Sequence, residues 1–239
     1  MALKTICRRG LDLISRMPKT WGFLKTRFRV GERYGIGLTV GVACFLLSIF
    51  SFAAIVGSFS EKGTLFHLDL KINAYVIRAA NPELTRFLGT ITDLGSIYLV
   101  VMVAVMVGVI LLISKNWWSL LSLFLAIGIG QAVLNILKVV FQRPRPKTEM
   151  YVFSYSFPSG HVSSATVIYG FCIYLTFRFI NNATAKWIVA TLLALLIHLI
   201  GFSRVYLGVH WLSDVLAGYV TGFAWLLFCI FFAKTVGDR

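Results

Sequence analysis

Between Ser203 and Asp214 the sequence reads S-R-V-Y-L-G-V-H-W-L-S-D, setting an arginine, a histidine and an aspartate between two long apolar runs. Ionisable groups at the edge of an apolar span are functional candidates, because each one left unpaired in hydrocarbon is costly. His210 and Asp214 stand four residues apart, so on a helix they share a face and the carboxylate can orient the imidazole. Arg204 adds a fixed cation whose planar fork suits phosphate oxygens. A capped helix end with a snorkelling arginine accounts for the same residues, and two further segments decide between the readings.

Lys138-V-V-F-Q-R-P-Arg145-Pro146 closes one apolar run, and Pro158-Ser159-Gly160-His161 opens the next. Together the three segments suit phosphoryl transfer. Lys138, Arg145 and Arg204 can neutralise a phosphate and the charge that spreads over its equatorial oxygens. The Ser159–Gly160 turn begins a helix, so its backbone N–H groups and the helix dipole form an anion site that Gly160 lets approach closely. Two histidines can divide the nucleophile and acid roles at neutral pH. His210, backed by Asp214, is the better nucleophile, and His161 then protonates the leaving oxygen.

These residues must be positioned by membrane helices. The chain has 239 residues, of which 58% are hydrophobic and only 13% charged, against about 25% charged in ordinary soluble domains. Runs of about 20 apolar residues predict six spans, near Ile36–Phe59, Ile97–Ile113, Trp117–Phe141, Val162–Ile180, Ala185–Phe202 and Leu212–Ala233. The fold class expected is therefore all-α, a polytopic membrane bundle of six transmembrane helices over residues 36–239. The connection Ser60–Ser96 carries apolar residues at partly helical spacing and predicts an extra amphipathic helix between the first and second spans. One pair of spans separates the loop after the third span from the loop after the fifth. Parity alone therefore puts Lys138, Arg145, Ser159, His161, Arg204, His210 and Asp214 on one membrane side.

Net charge is +14, and residues 1–35 hold nine Lys or Arg against Asp12 and Glu32. Lying just before an apolar run, this tail reads as a cytoplasmic flank for anionic lipid headgroups, and nucleic acid is not expected as a partner. The long basic region and late apolar start argue against a cleaved leader. Cys7, Cys44, Cys172 and Cys229 have no metal or redox spacing. With the N-terminus inside, fourteen basic residues fall on the inner side and nine on the outer, which predicts both termini in the cytoplasm and the three segments facing out.

K-x6-R-P, P-S-G-H and S-R-x5-H-x3-D, in this order, resemble the signature of the type 2 phosphatidic acid phosphatase superfamily. Every defining position is met, by Lys138, Arg145 and Pro146, by Pro158 to His161, and by Ser203, Arg204, His210 and Asp214. The resemblance implies a metal-independent lipid phosphatase of the cytoplasmic membrane with no cofactor, a phosphohistidine at His210, His161 as acid and the other residues holding phosphate. It also implies substrates such as undecaprenyl diphosphate, phosphatidylglycerophosphate or phosphatidate. Action on lipid A phosphates, phosphotransfer to another lipid, and headgroup binding without catalysis are the alternatives. Vanadate-dependent haloperoxidases resemble the same pocket, but six spans argue against that activity.

Other polar residues read as structural. His198 is expected as a neutral histidine bonded inside the bundle and His67 as a surface residue. Arg143 and Lys147 read as solvated rim charges, Tyr206 and Trp211 as packing or interfacial anchors, and Asp93 as a helix cap. The charge count itself is testable. Single cysteines at Thr148 and Thr184 should react with an impermeant reagent in intact cells only at Thr148; reaction only at Thr184 inverts the predicted orientation.

Overall fold

Proline and glycine placement divides this apolar chain into helices of membrane-spanning length. The computed structural model describes residues 36–59, 63–146 and 155–237. It falls into two units, Met1–Cys44 and Phe45–Arg239; of the first, only the helical residues 36–44 are described. The basic tail, Lys62 and Lys147 lie outside the described residues.

The helices are α1 (Ile36–Ser58), α2 (Thr64–Arg78), α3 (Pro82–Asp93), α4 (Ile97–Ile113), α5 (Trp117–Phe141), α6 (Gly160–Phe179), α7 (Ala183–Tyr206) and α8 (Leu212–Gly237), and among the described residues there is no strand. Each expected apolar run forms a helix. Five of them, α1, α5, α6, α7 and α8, are long and apolar enough to cross a membrane alone. The 17 residues of α4 span only about 26 Å, less than the roughly 30 Å of hydrocarbon. It reaches the required length only together with α3, across a break bent by 44°. The count is therefore five spans, or six with the bent pair taken as one.

The connection before α4 holds two helices where one amphipathic helix was expected. Asn81 explains the break: its side chain accepts from the N–H groups of Glu83 (2.8 Å) and Leu84 (3.3 Å), and Pro82 sits in the first turn of α3, where a missing N–H costs nothing. Asp93 ends α3, exposed. It does not cap α4; Ser96 does, accepting from Leu99 N–H at 3.4 Å.

The core forms around α6, whose Val162, Ala165, Ile168 and Phe171 are fully enclosed. Outward faces are equally apolar, with Met102, Val105, Met106 and Ile110 of α4 exposed, as expected where lipid is the solvent. Helix α8 lies against α6 at a distance set by Gly218 and Gly222. A Cβ at Gly218 would stand 2.9 Å from the Ser159 carbonyl oxygen, and one at Gly222 2.8 Å from that of Ser163. This contact joins the P-S-G-H segment to the helix that carries Asp214. Gly218→Leu should therefore destabilise the detergent-solubilised protein by about 1–3 kcal/mol, seen as a lower thermal midpoint. Phe50→Leu, at an outward position 72% exposed, should leave the midpoint unchanged.

Candidate active site

Four helix ends and two loops bring the charged residues together. Helix α5 ends with Gln142 in the left-handed region (φ 45°), its N–H on the Lys138 carbonyl. The chain turns there, leaving Lys138 in the last helical turn and directing Arg143-Pro-Arg145 across the top of α8. Lys138 is half-buried, and its Nζ donates to the Tyr155 carbonyl at 3.3 Å. Ser159 begins α6 in the N-cap position. The Ser159 N–H donates to the Asp214 carbonyl at 3.0 Å, tying α6 to the first turn of α8.

The Ser159 hydroxyl departs from ordinary capping. An N-cap serine usually accepts from an N–H one turn on, but Ser159 caps nothing, is fully buried, and its Oγ has no hydrogen-bond partner among the described residues. Such a group normally costs about 1–3 kcal/mol and so calls for an explanation by use. Next to it, a Cβ at Gly160 would stand 3.9 Å from the Lys138 ammonium, which puts the helix N-terminus and this cation at one site.

His210 is 3% exposed and Asp214 fully buried. Nδ1 of His210 lies 3.3 Å from Oδ2 of Asp214, and Nε2 lies 3.4 Å from Nη1 of Arg145. The carboxylate only accepts and the guanidinium only donates, so the neutral ring must carry its proton on Nδ1. The Nε2 lone pair then faces the cations. Burial first, then the charges of Arg204, Arg145 and Lys138, hold the His210 imidazolium well below the usual histidine range, while the Ser156 backbone acts weakly in the opposite sense. His161, half-buried on α6, lies within electrostatic reach of Arg204, His210, Lys138 and Arg145. Arg145 Nη1 also donates to the Val209 carbonyl at 3.0 Å. Buried Arg204 donates through Nη1 to Thr92 Oγ1 on α3 at 3.0 Å. All eight residues singled out in the sequence (Lys138, Arg145, Ser159, Gly160, His161, Arg204, His210 and Asp214) thus gather in one cluster.

Two expectations need correction. Arg143 is not a solvated rim charge. It is buried, donating to Asp214 Oδ1 (2.6 Å), Ser213 Oγ (2.6 Å) and Asp69 Oδ2 (2.8 Å). His198 is not inside the bundle. It is exposed on α7, its Nδ1 on the Ala194 carbonyl at 2.8 Å. His67 is exposed as expected, and Trp211 packs by donating Nε1–H to the Pro144 carbonyl at 2.9 Å. Asp69, Thr92 and Arg143 escaped the sequence reading as neighbours of the site. A signal for Asp69 was present, since it falls on the same helical stripe as Leu65, Ile72 and Val76.

Fold and site together define a multi-pass, helical membrane protein in which three cations and two histidines cluster where four helix ends meet. The chain carries a PAP2 superfamily domain, whose family profile matches residues 119–237. It is 29% identical over 182 residues to phosphatidylglycerophosphatase B of Bacillus subtilis, covering 74% of this chain and 88% of that one. It is 30% identical over 115 residues to an undecaprenyl-diphosphatase of Sulfolobus acidocaldarius, covering 45% and 50%. The crystal structure of a transmembrane PAP2-type phosphatidylglycerolphosphate phosphatase from Bacillus subtilis is similar over 82% of this chain and 96% of that one, with TM-score 0.71 and 28% identity. Aquifex aeolicus LpxE is similar over 68% and 94%, with TM-score 0.54 and 26% identity.

The unpartnered Ser159 hydroxyl gives a test in which stability and binding part company. Ser159→Ala removes a buried group with nothing to bond, so the thermal midpoint should hold or rise. Inhibition by orthophosphate should weaken by about tenfold, one charge-assisted hydrogen bond's worth. A lower midpoint with unchanged inhibition would assign the hydroxyl to structure.

Proposed function

We propose that the protein hydrolyses lipid phosphate or diphosphate monoesters, such as phosphatidylglycerophosphate, undecaprenyl diphosphate or phosphatidate, through a phosphohistidine at His210. The observation that carries this reading is the orientation of His210. Its Nδ1 lies against the buried Asp214 and its Nε2 against Arg145, so a nucleophilic lone pair is presented where an oxyanion is held. Simple headgroup binding needs the cations but not the histidine–aspartate pair.

The phosphate enters among Lys138, Arg145, Arg204, the Ser159 hydroxyl and the N-terminus of α6. Nε2 of His210 attacks phosphorus, the bond from phosphorus to the lipid oxygen breaks, and that oxygen takes a proton from His161. The negative charge of the incoming phosphate favours the protonated form of His161 needed for this step. Asp214 stabilises the cationic phospho-imidazole through Nδ1–H. Water, deprotonated by His161, then attacks phosphorus; the nitrogen–phosphorus bond breaks, releasing orthophosphate and restoring both histidines. Lys138, Arg145 and Arg204 supply the positive charge that a metal would otherwise provide, so turnover needs no added divalent cation.

A cavity of about 250 Å³ opens one turn deeper than Lys138 and His161, lined mostly by apolar residues such as Phe45, Leu134, Val167 and Trp225, with Gln131 and Ser164 among its few polar groups. Its apolar lining supports a substrate with a hydrocarbon chain. We place the pocket at the extracytoplasmic face, on the strength of the basic-residue asymmetry.

His210→Ala should abolish turnover and leave no acid-quenched phosphoenzyme, while wild type traps phosphate on His210. In wild type, the acidic limb of kcat/KM should fall below pH 6.5, because the pocket holds His210 below that ordinary value and activity is lost only as pH falls through its depressed pKa. Wild-type turnover by His210→Ala, or a strict magnesium requirement, would contradict the mechanism.

A further inference from the structure

Two charged side chains beside the pocket have no part in the reaction above. Asp69, on α2, is 2% exposed, and Arg143 is 8% exposed. Both lie beside Ser213, in the first turn of α8. The Ser213 N–H donates to Asp69 Oδ1 at 3.0 Å, and its hydroxyl donates to Asp69 Oδ2. Arg143 Nη2 donates to the same Oδ2 at 2.8 Å, while Nη1 reaches Asp214 Oδ1 at 2.6 Å. The guanidinium is enclosed by the Phe59 ring, 4.6 Å away, and the Trp211 ring, 5.6 Å away.

We propose that Asp69 is a positioning residue for the reaction, fixing through Arg143 and Ser213 the Asp214 carboxylate that orients His210. This rests on the assignment of His210 as nucleophile. Asp214 Oδ2 serves His210 Nδ1 and the Trp211 N–H, the latter at 3.0 Å. The position of Oδ2 therefore depends on what holds Oδ1, and that is Arg143. Arg143 stands two residues from Arg145, close to where an anion enters. Without Asp69, no other group among the described residues hydrogen-bonds Nη2 on its far side, and the guanidinium is drawn toward the phosphate and away from Asp214.

The charges point the same way. Asp69, Arg143 and Asp214 carry one net negative charge behind His210, opposite Lys138, Arg145 and Arg204 in front. That charge favours the cationic phospho-imidazole. A buried ion pair is weak as a source of stability in itself, so a chain of two carboxylates across one guanidinium is better accounted for by what it aims. Asp69 also lies outside residues 119–237, the part that matches the family profile; the connection before α4 thus contributes directly to the support of the site.

Kinetics of the full-length protein in detergent micelles with dioctanoyl phosphatidate test this. Asp69→Asn keeps shape and removes charge, and should lower kcat by about 10- to 100-fold, the scale of a small misplacement of reacting groups, with KM within threefold. Arg143→Gln should be worse, because it leaves two buried carboxylates facing each other. Adding Asp69→Asn to Arg143→Gln should then raise kcat above that of Arg143→Gln alone. The inference is overturned if Asp69→Asn keeps kcat within twofold, if it raises KM at unchanged kcat, or if the double variant falls to the product of the single effects. Should Arg143→Gln fail to fold, the kcat-against-KM split of Asp69→Asn decides alone. His210→Ala in parallel separates the two levels. An inactive His210→Ala beside a fully active Asp69→Asn removes only the positioning role, whereas a fully active His210→Ala removes the nucleophile assignment as well.

Discussion

A carboxylate with no access to solvent must have its charge met within the fold, and Asp214 meets this constraint with both carboxylate oxygens directed at named donors. Oδ2 accepts from the Trp211 amide and faces His210 Nδ1; Oδ1 accepts from Arg143. Remove any of these and the charge is stranded in low dielectric, where it neutralises or moves. The tautomer of His210 follows from this arrangement, and so does the direction of its Nε2.

The rest of the structure holds that carboxylate and the proposed phosphate pocket at a fixed separation. Gly218 and Gly222 allow α8 to approach the backbone of α6, so the N-terminus of α6 and the histidine–aspartate turn form one rigid corner. The left-handed Gln142 ends α5 and sends two arginines to opposite tasks, Arg143 behind Asp214 and Arg145 in front of His210. The helices before α4 supply the outer buttress, Asp69 for Arg143 and Thr92 for Arg204.

The residues around the pocket were legible in the sequence because each falls where an apolar run stops, and an ionisable group is conspicuous there. Parity of spans then put the three segments on one side without any knowledge of packing. What lay beyond reach was the company those residues keep. Arg143 and Arg145 have the same chemistry and stand two apart in one loop, so nothing local distinguishes the residue that turns inward to two carboxylates from the one that faces the pocket. Asp69 is 74 residues from Arg143 in sequence, and only the tertiary fold pairs them. Two helices were read as one amphipathic helix because the Asn81–Pro82 break reads as an ordinary polar turn inside one long connection. His198 was placed inside the bundle because a mid-span histidine is expensive in lipid; its own helix's Ala194 carbonyl provides a local partner instead.

The protonation pattern of His210 in the resting protein tests the account most directly. Nitrogen-15 NMR of the histidine-labelled protein at neutral pH, with the resonance assigned by its loss in His210→Gln, reports each ring nitrogen separately. The expected pattern is a neutral imidazole with the proton on Nδ1 and a bare Nε2. A proton on Nε2, or a fully protonated ring, would mean that Asp214 does not set the nucleophile and would contradict it.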